Sequence, residues 1–196
     1  NSNIFKSILI LFSFIHININ AQSFGQNKVQ YKDFEWSYIQ TSHFDVYYYD
    51  GEQDLAEFVA EVAEESYEQI SIHLRWNLKN RVSIMVYNSH NEFQQTNVVR
   101  PYMREGIGGV TELFKNRVVF PFEGNYEQFR HVIHHELVHA VINDMIYGGR
   151  MQNIISSRAR IRVPIWSNEG LAEYLSSNWD TKADMTMRDI AVHERM

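Results

Sequence analysis

The sequence predicts an α+β fold in which one mixed β-sheet is covered by helices. Three observations carry this. Two strand-like segments, His43–Tyr49 and Arg81–Tyr87, flank a helical stretch, and the first of them alternates apolar and polar residues. A hairpin pattern then occupies residues 110–122, and helical patterns follow it to the end. Strand, helix, strand, hairpin and then helices is an order that builds a mixed sheet with helices packed on it. No internal repeat or low-complexity tract interrupts it.

Residues 1–21 come first and read as a secretory signal peptide: Lys6, an apolar run from Ile8 to Ile15, and Ala21 at a cleavage point. The run is shorter than the about 20 residues a spanning helix needs, so no transmembrane span is expected after cleavage. A retained N-terminal anchor is the alternative. The expected destination is the periplasm or the cell exterior, with association to the envelope open. Removal leaves 175 residues, enough for one domain with its own core. With no cysteine, stability must come from packing and from any bound metal. The net charge of −6 becomes −7 once Lys6 is lost, which argues against nucleic acid as a partner.

Gln53–Leu74 reads as an amphipathic helix with Leu55, Phe58, Val59, Val62 and Ile70 on its inner face. The hairpin has Val110–Phe114 and Arg117–Phe122 as strands and Lys115-Asn116 as the turn. Gly106, Gly108 and Gly109 precede it, and either shape a loop or let another backbone come close. A second helix starts at Tyr126 behind Asn125 as N-cap, with Gln128 as capping-box partner. Its apolar stripe is Phe129, Val132, Ile133, Leu137, Ala140, Val141 and Met145, and Gly148-Gly149 stop it. Arg150, Arg158, Arg160 and Arg162 then mark a basic stretch, read as a solvated loop ahead of a partner contact. After Pro164 a third helix begins with Ser167 or Asn168 as N-cap, and a last one runs from about Ala183.

The middle of the second helix carries His135-Glu136-Leu137-Val138-His139, a His-Glu-x-x-His pattern. Residues four apart share a helix face, so His135 and His139 can aim two imidazole nitrogens at one ion. Glu136 stands beside the first of them and can reach a water there, as a general base does in zinc peptidases. Two histidines and a glutamate are costly in a largely buried helix unless paired or coordinated. His131 also precedes His135 by four, but residue 132 is valine, so that register lacks the base. His131 and His134 read as flank residues or hydrogen-bond partners.

A catalytic zinc takes three protein ligands and keeps one position open. Trp166-Ser167-Asn168-Glu169-Gly170-Leu171-Ala172-Glu173-Tyr174 supplies the third. Glu169 and Glu173 lie one turn apart on one face. Either carboxylate can bind the metal while the other accepts the free N–H of a ligand histidine.

These two segments resemble the gluzincin metallopeptidases, and specifically their peptidase MA-like branch. The resemblance implies Zn2+ as cofactor, His135, His139 and Glu169 as ligands, Glu136 as general base and Glu173 as the partner of a ligand histidine. The 29 residues between His139 and Glu169 exceed the spacing of the aminopeptidase relatives, and the excess is expected in the Gly148–Val163 connection. The implied fold is the N-terminal lobe of a zincin, with an edge strand beside the active-site helix and helices after it. Peptide substrates lie along that strand in the family, which makes Gly108, Gly109 and Val110 candidate substrate-binding residues. Residues 24–196 as a whole resemble the N-terminal part of secreted bacterial proteins in which this domain precedes a Tol-type β-propeller. A chain that begins at Asn1 and ends in a helical stretch reads as a fragment of such a protein, with the propeller beyond it.

The expected function is zinc-dependent hydrolysis of peptide bonds in a peptide or protein substrate. Tyr174 and His193 are the candidate oxyanion donors. The alternative is a metal-containing binding module that orients a propeller at the cell envelope. Glu136 favours the first, because binding alone needs no general base; a short C-terminal lobe favours the second.

Overall fold

The computed structural model describes residues 28, 30–97, 108–112, 116–148, 163–177 and 181–192. They form a mixed five-stranded sheet and five helices, an α+β arrangement. Strand β1 is Ser37–Gln40, β2 is Phe44–Tyr48, and helix α1 is Gln53–Leu74. Strand β3 (Val82–Tyr87) and the single turn α2 (His90–Phe93) come next. The hairpin strands are β4 (Val110–Glu112) and β5 (Arg117–Pro121). Helices α3 (Tyr126–Tyr147), α4 (Ile165–Ser176) and α5 (Thr181–Val192) close the order.

The sheet order is β1-β2-β3-β5-β4. Parallel pairing of β2 with β3 and of β3 with β5 forms the centre, and antiparallel β1 and β4 lie at the edges. Alternating side chains divide the strands between two faces. Phe44, Val46, Ile84, Val118 and Phe120 point into the main core, where Leu55, Val59, Val62 and Ile70 of α1 meet Phe129, Ile133, Leu137 and Val141 of α3. The opposite face carries a smaller cluster of Tyr49, Tyr87, Phe93 and Val119, against which Phe34, Trp36, Met85 and Val110 pack.

Strand β1 and the turn α2 are additions to the sequence expectation. Phe58 is half-buried, stacks on Phe129 and meets Tyr126 edge-on, and Met145 is exposed instead of lining the stripe. The caps of α3 are as expected. Asn125 accepts the Gln128 backbone N–H at 3.1 Å, and Gly148 (φ 62°) ends the helix in the left-handed region that glycine tolerates. The N-cap of α4 is a correction. Pro164, not Ser167 or Asn168, occupies it, and its carbonyl accepts the N–H groups of Ser167 and Asn168 at 3.0 and 3.1 Å. The fixed ring of Pro164 sets the entry angle, which places both residues inside the first turn. Residues 1–27, Lys115, Gly149, the four arginines and His193 lie outside the described residues. No helix among those described is long and apolar enough to cross a membrane.

Candidate metal centre

The buried stripe Ile133, Leu137 and Val141 fixes the roll of α3 and turns His135 and His139 toward α4. Their ring centroids are 5.0 Å apart. Ala172 is fully buried and seats α4 on α3, which brings Glu169 over both rings. Glu169 Oε2 lies 3.4 Å from His135 Nε2 and 3.5 Å from His139 Nε2. Two ligands of a tetrahedral ion with bonds of about 2.1 Å are about 3.4 Å apart, so this spacing fits zinc, as does the N/N/O donor set. All three donor atoms lie within 4.8 Å of one another.

The outer ring nitrogens add a second test. Asn168 Nδ2 is 2.9 Å from His139 Nδ1. In this orientation the amide donates to Nδ1; a half-turn of the amide, which exchanges Nδ2 for Oδ1, lets it accept the Nδ1–H and frees Nε2 for a metal. Glu173 Oε2 stands 3.5 Å from His135 Nδ1, close enough to favour the proton on that nitrogen. In the tautomer with both rings protonated on Nδ1, both Nε2 lone pairs face the Glu169 carboxylate. Three converging acceptors repel one another unless a cation sits among them. Asn168 is the residue that sequence reasoning missed, because the expected N-cap role had absorbed it.

Glu136 is tied to the hairpin. The Thr111 hydroxyl is 2.6 Å from Glu136 Oε2 and 3.0 Å from the Glu136 carbonyl oxygen, and its one proton goes to the nearer carboxylate. A Cβ added to Gly109 would fall 2.8 Å from Glu136 Cγ and 2.9 Å from Phe120 Cδ1. One on Gly108 would fall 2.9 Å from Val132 Cγ2. The two glycines thus let the edge strand lie against α3. Val110 points to the other face of the sheet, into the smaller aromatic cluster.

Of the two upstream histidines, His131 is a hydrogen-bond partner of the Ser176 carbonyl at 3.4 Å. His134 is half-buried; burial first, then the nearby His131, His73 and His135, push it down to about 4, so it is neutral at pH 7. Tyr174 is 73% exposed, and helical geometry turns it about 140° from Glu169, away from the ligand set. No protein-family model, curated protein or solved structure matches the chain.

Proposed function

We propose that the chain is a zinc-dependent metallopeptidase with the N-terminal lobe of a gluzincin, the peptidase MA-like domain, across residues 24–196. The observation that carries the reading is the convergence of His135 Nε2, His139 Nε2 and Glu169 Oε2, next in the helix to a carboxylate, Glu136, that Thr111 holds instead. When bound, zinc supplies a Lewis acid that polarises a carbonyl and lowers the pKa of water.

The chain's own residues do the rest. Glu136 accepts the proton of the attacking water through its Oε1 and passes it to the leaving amine. Thr111 holds Oε2 of that carboxylate and so fixes the plane in which Oε1 works. Glu173, and Asn168 once its amide turns Oδ1 to the ring, hold the two ligand rings in the tautomer that offers Nε2. Strand β4 lies at the sheet edge among the described residues and would offer its other side to an extended peptide, with the backbone of Gly108, Gly109 and Val110 along it. In this reading residues 1–21 direct export to the periplasm or cell exterior, and a β-propeller follows in the whole protein.

Cleavage of unfolded casein with added zinc tests the proposal, with Glu136→Gln as control. Zinc-dependent cleavage that is lost in the variant is the expected result. Intact zinc binding without cleavage in the wild type favours the binding module instead.

A further inference from the structure

The pair α3–α4 presents its donor pattern twice. One turn back along α3 from His135 stands His131, and one turn forward along α4 from Glu169 stands Glu173. The set His135, His139 and Glu169 therefore recurs as His131, His135 and Glu173, again with all ligand atoms within 4.8 Å. Glu173 Oε2 is 3.7 Å from His131 Nε2 and 3.5 Å from His135 Nδ1.

The second set is also held in place. His131 Nδ1 lies 3.4 Å from the Ser176 carbonyl oxygen, which can only accept, so that nitrogen carries the proton. Its Nε2 then presents a lone pair to Glu173 Oε2, acceptor against acceptor. The Ser177 hydroxyl donates to Glu173 Oε1 at 3.0 Å and leaves Oε2 facing the two rings. Side-chain exposures of 38% for His131 and 60% for Glu173 leave room for water to complete a coordination sphere. Imidazole and carboxylate donors suit zinc and its neighbours among the divalent metals.

We propose that His131, His135 and Glu173 form a second, weaker zinc site, one helical turn from the first along the same helix pair. His135 is common to both sets, with Nε2 toward one and Nδ1 toward the other, so the two sites are coupled. When the first site is filled, the second ion has His131 and Glu173. When the first is empty, His135 joins them. An ion in the second site also draws Glu173 from His135 and so loosens the first, on the about 10–100-fold scale of a lost partner of a ligand histidine. The second site stands on its own geometry; the coupling rests on the first-site reading.

Equilibrium dialysis of the full chain against buffered free zinc tests this. Wild type should bind one zinc tightly and a second more weakly. His131→Ala should keep the tight ion and lose the weak one, and His131→Gln should do the same with less risk to the fold, checked by circular dichroism. His139→Ala should lose the tight ion and hold the weak one more tightly than wild type does. Saturation of wild type at one zinc, or a weak ion that survives both His131 variants, would overturn the proposal and leave the first site standing. A tight ion that survives His139→Ala combined with His131→Gln would overturn the first-site reading, while the single His131 variants still report on the second.

Discussion

Thr111 on the edge strand donates its hydroxyl proton to Glu136 Oε2 across 2.6 Å, joining two residues 25 positions apart in the chain. A hydrogen bond to a charged group contributes about 1.5–3 kcal/mol, so losing it from a catalytic carboxylate should lower kcat by about 10–100-fold. Thr111→Val should show this drop with KM and zinc content unchanged, and Thr111→Ser should restore most of the rate. An equal loss in the serine variant would mean that the methyl group, not the hydroxyl, matters.

The glycines of the hairpin and of α4 should respond oppositely to alanine. Gly109→Ala forces a methyl group against Glu136 and the fully buried ring of Phe120. Overpacking of this kind costs about 1–3 kcal/mol. Gly170→Ala meets nothing within 4 Å among the described residues and lies inside a helix, where alanine is better by about 1 kcal/mol. Thermal melts should move down for the first and up for the second.

Removal of the residues behind the ligands should weaken zinc without abolishing it. Asn168→Ala and Glu173→Ala each take the polar partner from the Nδ1 of one ring, and each should lower affinity about 10–100-fold. Glu169→Ala removes a ligand and should leave a two-histidine site that barely holds zinc. Tighter zinc binding in Glu169→Ala than in Glu173→Ala would reverse the roles of the two glutamates.

Acid stability should depend on Glu92. Burial raises its carboxyl pKa, but hydrogen bonds from Tyr49 and Lys32 outweigh that and leave it below the ordinary value. A carboxylate with a depressed folded pKa contributes stability above its unfolded pKa and loses it as pH falls through the folded one. Urea melts of wild type and Glu92→Gln should therefore differ at pH 7 and converge toward pH 3. A gap that does not change with pH would show that the charge is not what matters.

Helix α3 was legible because its signals are local. Asn125, the apolar stripe and Gly148 bound it, and four-residue spacing is enough to pair His135 with His139. What escaped the sequence depends on contacts between distant segments. Thr111 reaches Glu136 only because β4 pairs outside β5, an order that no local pattern encodes. Ser37–Gln40 is a mostly exposed edge strand with little apolar alternation to mark it. Asn168 resembles a helix cap in sequence, and only the position of Pro164 frees its side chain for His139.

Zinc content after exhaustive dialysis into metal-free buffer tests the central claim most directly, since only a tightly held ion survives that treatment. About one zinc per chain is expected in the wild type and in Glu136→Gln, whose substituted residue is not a ligand. His139→Ala combined with His131→Gln, which also removes the second site, should contain almost none. A stoichiometric zinc retained by that double variant, or lost from Glu136→Gln, would contradict the assignment of ligands and base.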